Sequence, residues 1–336
     1  MKSKDLSGQA PGGKRTTLAK ALPLVTPLVL QIFPIYACNF TCKYCTFSIP
    51  RNKRGFISDK IMMDFDLLKK CVDEMALFPH KIKTLRFVGM GEPLLHPRIA
   101  DMVKYAVDKK VAEKVEILTN GSLLTPKLAD ALISTGLSRL VISIQGTSGK
   151  KYQEVSHINL DFNQFVQNIK YFYDHKTKTI IHIKIIDIAL EGDRDKKRFF
   201  KIFGDVCDTI GIEYASPIFP GVEYNKELSG RPLTQFGLKV SDVLVCPQPF
   251  FTLQINPDGK VVPCYSVTYP AILGDCNKQT LQQIWNREPY RQFRRKMLDG
   301  VTNVCELCSN CGIIKHRLFP EDVLNNDAKR LKKFYD

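Results

Sequence analysis

Apolar positions along residues 28–225 fall into two alternating rhythms. The runs "LVLQIF", "TLRFVGM", "KVEILTNG", "RLVISIQG", "TIIHIKIIDI" and "IEYASPIF" are rich in Val, Ile and Leu and predict strands. Between them, "MDFDLLKKCVDEMALF" repeats apolar residues at helical spacing, at Phe65, Leu68, Val72 and Met75. "RIADMVKYAVDK", "PKLADALISTG", "DFNQFVQNIKYFYDH" and "DRDKKRFFKIFGDVCDTIG" read as helices too; "PKLADALISTG" has Pro at its start and Gly at its end. Six strands alternating with five helices predict a parallel sheet covered by helices. In barrel-like sheets, chemistry gathers where strands end and loops begin.

Past about residue 225 the rhythm changes. "FFTLQINPDGKVVPCY" predicts a hairpin turning at "PDG", and "TLQQIWNREPYRQFRRKML" predicts one helix followed by "CELCSNC". The expected organisation is a basic, mobile tail over 1–22, a large α/β domain over 23–230, a small cysteine-bearing domain over 231–320, and a basic tail over 321–336. Trp285 is expected in the core of the small domain.

Composition narrows the class. With 336 residues, 44% of them hydrophobic, the chain can bury a sizeable core. No apolar run reaches the roughly 20 residues of a membrane span. "ALPLVTPLVLQIFPIYAC" imitates a lipoprotein signal, but it contains prolines and its cysteine belongs to a tighter motif, so a cytoplasmic protein is expected. Lys and Arg outnumber Asp and Glu by 49 to 34, a formal charge of +15. That balance suits a soluble basic surface, an anionic substrate, an acidic electron donor or RNA. The basic residues are spread rather than interleaved with aromatics, which argues against nucleic acid. Eleven cysteines bunch at two- and three-residue gaps, with Cys71, Cys207 and Cys276 apart from the groups; metal sites are favoured over disulfides.

The first group, "CNFTCKYC", offers Cys38, Cys42 and Cys45 just after the first strand. A structural zinc site would be closed by a fourth ligand, and neither His80 nor His96 stands at a zinc-like spacing. A four-iron cluster held by three thiolates leaves one iron open. Here the chain resembles the radical S-adenosylmethionine (SAM) superfamily: the three cysteines match its CxxxCxxC motif, with aromatic Tyr44 before the last. The resemblance implies that SAM completes the coordination of a [4Fe-4S] cluster and is cleaved to a 5′-deoxyadenosyl radical. "GMGEP" resembles the family's glycine-rich segment, so Gly89, Gly91 and Glu92 are implied SAM contacts. "TNG" with Asn120 and "SIQG" with Ser143 resemble the third- and fourth-strand segments lining the SAM pocket, and Tyr44 would lie near the adenine. A plain turn at Gly89 and Gly91, a helix-preceding turn at Asn120-Gly121 and a core role for Tyr44 are the competing readings. The implied fold is α/β, a partial (β/α)6 TIM-like barrel.

The second group resembles a twitch or SPASM-type C-terminal iron–sulfur domain of the same superfamily. By position it implies one auxiliary [4Fe-4S] cluster on Cys246, Cys264, Cys305 and Cys308, with Cys311 an alternative ligand or a bystander. A four-thiolate zinc site is the other reading, and iron counted per chain decides between them. The superfamily implies a flavodoxin- or ferredoxin-type electron donor. An auxiliary cluster that accepts an electron points to an oxidoreductase acting on a small polar or anionic molecule, by oxidation or epimerisation of a sugar, an aminocyclitol or a related metabolite. Modification of a peptide or of RNA is the alternative, and a non-catalytic electron carrier a further one. Asp187, a charged residue in the apolar run "IKIIDIAL", is either paired or the base that takes a hydroxyl proton. His182 in the same run is expected as a satisfied core residue.

Overall fold

The computed structural model describes residues 1–7, 15–50, 52–54, 58, 60–219, 221–224, 228, 230–264 and 269–336. The six expected strands form: β2 (Val29–Ile32), β3 (Ile82–Phe87), β4 (Ala112–Thr119), β5 (Arg139–Ile144), β6 (Ile180–Ile186) and β7 (Thr209–Glu213). They lie side by side in chain order, all parallel. Strand alternation assigns the faces. In β6, Ile181, Ile183 and Ile185 are buried in the helix-side core, while His182 and Lys184 point to the other face, the barrel interior.

The covering helices are α2 (Phe65–Met75), α3 (Ile99–Asp108), α4 (Pro126–Ser134), α6 (Phe162–His175) and α7 (Gly192–Phe203). On α2 the buried residues are Leu68, Cys71, Val72 and Met75, one stripe at helical spacing. α4 starts as expected: Thr125 caps it by accepting from Leu128 N, and Pro126 sits in its first turn. One helix was not expected, α5 (Gly149–Ser156), capped by Ser148, with Tyr152 and Val155 buried.

The expected hairpin forms as β8 (Thr252–Ile255) and β9 (Lys260–Val262), turning at Pro257-Asp258-Gly259; Gly259 has φ +85°, which glycine adopts most easily. β8 also pairs in parallel with β2, Leu30 opposite Leu253, so the small domain continues the barrel sheet. A short strand β10 (Gly274–Asp275) closes that edge. The single helix expected around Trp285 is two, Leu281–Asn286 and Glu288–Leu298, with an extended Arg287 between them. Pro289 explains the break: its ring would clash with the Trp285 carbonyl in a continuous helix. Trp285 is fully buried and its Nε1 donates to Leu24 O at 2.9 Å.

Both tails need correction. Lys4–Asp5 forms β1 on the free edge of β7, Ser3 is buried, and Leu18, Ala19 and Leu22 enter the main core. An open parallel edge offers unpaired backbone groups that even a polar strand can satisfy. At the other end Leu324, Leu331 and Tyr335 are buried in the same core. Among the described residues, no helix is long and apolar enough to cross a membrane.

Candidate functional site

β2 delivers the chain to a loop that carries the first three cysteines before α2 begins. The loop docks on the end of α5, whose last carbonyls need partners: Thr41 N donates to Ser156 O at 3.2 Å and Lys43 N to Val155 O at 3.0 Å. Cys42 Sγ lies 3.4 Å from Ser156 Oγ, and Phe40 N donates to Cys38 Sγ at 3.4 Å. Burial pushes the Cys38 and Cys42 thiols up to about 12, and it raises Cys45 against donors from Phe47 and Thr46. Thiolates in so dry a place need a cationic metal centre beside them. The three residues fit an iron–sulfur cluster in which one iron is left for another ligand.

The GMGEP segment lies directly on this loop. A Cβ on Gly91 would stand 2.6 Å from Ile35 O and 2.7 Å from Ala37 O, so only glycine permits the approach. Glu92 N donates to Ala37 O at 2.8 Å. The Glu92 carboxylate accepts from Leu94 N at 2.9 Å, Thr119 Oγ1 at 2.5 Å and Asn120 N at 2.7 Å, which ties the end of β3 to the end of β4. Burial pushes its carboxyl up to about 7 despite those donors. Asn120 Nδ2 donates to Asn39 Oδ1 at 2.9 Å and reaches Cys38 Sγ at 4.0 Å. Cys38, Glu92 and Asn120 therefore meet at one end of the barrel. Gly89 packs its bare backbone on the Phe33 ring, 2.6 Å from where a Cβ would be. The Tyr44 hydroxyl bonds Gln145 Oε1 just past β5, and burial raises the phenol. Ser143 lies on β5 opposite Lys184 of β6, on the interior face.

The interior carries polar residues that the sequence reading did not single out. Arg86 of β3 and Arg139 of β5 flank Glu116 of β4, whose carboxylate takes both. Lys184 pairs with Glu213 at 2.7 Å, and Gln235 Nε2 donates to the same carboxylate at 2.6 Å. Gln254 on β8 and Asn256 just past it are fully buried and joined at 3.1 Å, with the Tyr269 hydroxyl on Asn256 at 2.9 Å. The available signal was one polar residue between apolar neighbours in "LRF", "VEI", "IKI" and "LQI". Asp187 is paired: its oxygens take Arg231 Nη1 at 2.5 Å and Ala215 N at 2.7 Å, which occupies the carboxylate structurally. His182 bonds Thr209 Oγ1 at 2.8 Å.

The second thiol group also assembles. Cys246 lies close enough to Cys264 and Cys311 to feel their charge, Cys308 to Cys305, Cys264 and Cys246, and Cys311 to Cys305. All five share one locus, Cys311 included. Burial is the largest influence raising the Cys246, Cys308 and Cys311 thiols. Among the described residues no three Cys, His, Asp or Glu converge on a point for a single ion. Cys276 stands apart, hydrogen-bonded to Cys71 of α2.

A parallel barrel with three thiols at its loop end, extended by a hairpin with a second thiol group, has the make-up of a two-centre iron–sulfur protein. The Radical SAM superfamily model matches residues 32–196, and the SPASM model, an iron–sulfur cluster-binding domain, matches residues 246–312. The chain belongs to the radical SAM superfamily and carries a SPASM-type domain, with SAM, a [4Fe-4S] cluster and auxiliary iron–sulfur as its cofactors. It is 24% identical over 320 residues to the tungsten-containing aldehyde ferredoxin oxidoreductase cofactor-modifying protein of Pyrococcus furiosus, covering 83% of this chain and 87% of that one. Among solved structures, anSMEcpe with bound AdoMet superposes with a TM-score of 0.61 at 16% identity, covering 92% of this chain and 97% of that one. BtrN in complex with AdoMet and 2-DOIA gives 0.52 at 20% identity, over 84% and 92%. At such identities these structures establish the fold.

Proposed function

We propose that this radical SAM enzyme is an oxidoreductase that abstracts hydrogen from a carbinol carbon of a polar, anionic metabolite of the sugar or aminocyclitol kind. Cys38, Cys42 and Cys45 would hold the SAM-binding cluster, which with SAM would supply a 5′-deoxyadenosyl radical, and Cys246, Cys264, Cys305 and Cys308 would hold an auxiliary cluster able to accept the substrate's second electron. One observation carries this reading: β8, whose hairpin leads to Cys264, pairs residue for residue with β2, which leads to Cys38. Two redox centres carried by adjacent strands suit the two successive one-electron steps of an oxidation.

The chain's own residues supply the rest. Gly89, Gly91 and Glu92 shape the wall on which the methionyl end of SAM rests, Asn120 and Ser143 line the neighbouring strand ends, and Tyr44 fixes the loop to β5. The charged interior of Arg86, Glu116, Arg139 and Lys184 offers partners to a polar substrate rather than an apolar one. The BtrN structure, solved with AdoMet and 2-DOIA, supports an aminocyclitol-like substrate by fold alone. The name of the Pyrococcus furiosus relative, which spans nearly the whole chain, favours a second reading in which the substrate is another enzyme's cofactor.

The test is anaerobic. Reconstituted protein given SAM and a strong reductant is expected to release 5′-deoxyadenosine and to hold about eight irons per chain, two four-iron clusters. A substrate deuterated at its carbinol carbon is expected to pass deuterium into that product. If no 5′-deoxyadenosine forms, the radical reaction is wrong; about four irons would remove the auxiliary cluster.

A further inference from the structure

The covering helices treat their cations in two ways. On α2, Lys69 pairs with Asp66 and Lys70 with Glu74; on α3, Lys104 pairs with Asp108; on α6, Lys170 pairs with Asp174. Each partner lies three or four residues away on the same helix. α7 departs from that rule. Its Arg194, Lys197, Arg198 and Lys201 are all exposed, and among the described residues none of the four side chains has an ionic partner. The acids of α7 are taken elsewhere: Asp193 holds Lys196 at 3.1 Å, and Asp195 accepts from Glu191 N at 2.9 Å.

Spacing makes a stripe of the four. They stand at i, i+3, i+4 and i+7, on the side opposite Phe199 and Phe203, which bury α7 in the core. Like charges at such spacings weaken an isolated helix, and an opposing anionic surface relieves them. The stripe is also tied to the first thiol group. Glu191, the N-cap of α7, pairs with Lys151 of α5. α5 in turn accepts the cysteine loop on its last carbonyls, from Thr41 N and Lys43 N. That loop reaches the surface: Thr41 and Lys43 are exposed, and Cys38 and Cys45 are half-buried. Lys150 of α5 is exposed as well. α7 is about 18 Å long, whereas a protein partner commonly covers a patch about 30 Å across. A partner laid along the stripe therefore extends over Lys150, Lys43 and the cysteine loop.

We propose that the α7 stripe, with Lys150 and Lys43, is the docking surface of an acidic one-electron carrier protein that reduces the cluster at Cys38, Cys42 and Cys45. The carrier loses one electron, the cluster gains it, and no bond or proton is transferred. The uncompensated cations select an acidic partner, and the cysteine loop at one end of the surface selects an electron carrier. Nucleic acid fits less well, because no aromatic stands among the four cations to stack on a base. The competing role is a solvated face that binds nothing. Docking requires only the first cluster and is independent of the substrate proposed above.

The deciding experiment is stopped-flow reduction of the full-length, anaerobically reconstituted protein by a reduced acidic ferredoxin. Reduced methyl viologen, a small cation, is the parallel donor. With ferredoxin, wild type is expected to show a second-order rate that falls at least about tenfold between about 10 and 300 mM salt. Arg194→Gln, Lys197→Gln, Arg198→Gln and Lys201→Gln combined are expected to slow it about ten- to a hundredfold at low salt, with viologen reduction unchanged. Arg194→Lys with Arg198→Lys keeps the charge and is expected to keep the rate. Lys329→Gln, an exposed cation elsewhere, is expected to change nothing. Equal low-salt rates in wild type and the fourfold glutamine variant overturn the docking surface. So does a rate that salt leaves unmoved, a wild type that viologen reduces and ferredoxin does not, or a variant slowed equally with both donors. Salt-sensitive retention of a single-stranded RNA that only the glutamine variant loses, with ferredoxin rates unchanged, assigns the stripe to nucleic acid instead. Iron content shows that each variant has assembled. No SAM or substrate is present, so missing 5′-deoxyadenosine would sink the proposed reaction and leave this result standing.

Discussion

His182 projects into a barrel interior that already holds Arg139 and Lys184. Burial and those two cations push its imidazole down to about 3, so the folded protein keeps the ring neutral. A histidine that weak is a poor general base near neutral pH. Because the folded value lies below the ordinary one of about 6.5, the contribution to stability is fully present above pH 6.5 and is lost as pH falls towards 3. One proton is worth about 1.4 kcal/mol per pH unit, so wild type should lose about 2 kcal/mol between pH 6.5 and 5 through this residue. Denaturant unfolding at the two pH values should show His182→Gln losing that much less. Glu116 poses the reverse case, an anion between Arg86 and Arg139. Glu116→Gln leaves two cations facing each other in the interior, and an unfolding free energy lower by about 3 kcal/mol is expected; unchanged stability would mean the arginines find other partners. The grouping of the cysteines was legible in the sequence and the interior charges were not. A thiol triplet at fixed gaps states its chemistry locally. Glu116 acquires its meaning only when β3 and β5 close on either side of it.

Elements were recognised where local composition decides them. Val- and Ile-rich strands and capped amphipathic helices formed near their expected places, and Pro257-Asp258-Gly259 turned the hairpin. α5 escaped because few apolar residues mark its eight positions; Ser148 and its docking on the cysteine loop hold it instead. The pairing of β8 with β2 escaped because it joins segments some two hundred residues apart, and no periodicity encodes a partner that distant. The GMGEP segment meets the cysteine loop with bare backbone. Its approach to the cysteine loop is closed to any side chain at Gly91, since the opposing atoms are backbone carbonyls that cannot turn aside. Gly91→Ala should therefore push the segment off the loop, with destabilisation of about 1–3 kcal/mol and SAM affinity falling at least about tenfold. Calorimetric titration with SAM checks this, and wild-type affinity in the variant would show that the segment does not shape the pocket.

Over the whole molecule, the two chain ends behave unlike tails. Composition alone suggested solvated basic segments at 1–22 and 321–336, yet the described residues of the first, 1–7 and 15–22, and the whole of the second pack onto the body. Arg15 pairs with Asp322 and lies 4.0 Å over Phe319, and Arg330 Nη2 donates to Ala19 O at 2.7 Å. Tyr335 packs edge-on against Phe250, whose helix Gln248–Phe251 follows Cys246 by two residues. Arg294 lies 3.9 Å over Trp285 and donates to Pro249 O at 3.0 Å, which brings the long C-terminal helix to the same place. The terminal segment thus buttresses the element that presents the auxiliary thiols, although its charges suggest only solubility. Two neighbouring substitutions separate these roles. Leu331 is fully buried, so Leu331→Ala should cost about 2–5 kcal/mol through the cavity it leaves. Lys333 is exposed, and Lys333→Ala should change stability by no more than about 0.5 kcal/mol. If the end of the chain is a buttress, the leucine variant should also lose auxiliary iron faster than iron from the Cys38/Cys42/Cys45 cluster when challenged with a chelator under anaerobic conditions. Equal rates of loss from the two sites would instead mean that the segment stabilises the molecule as a whole without serving the second centre.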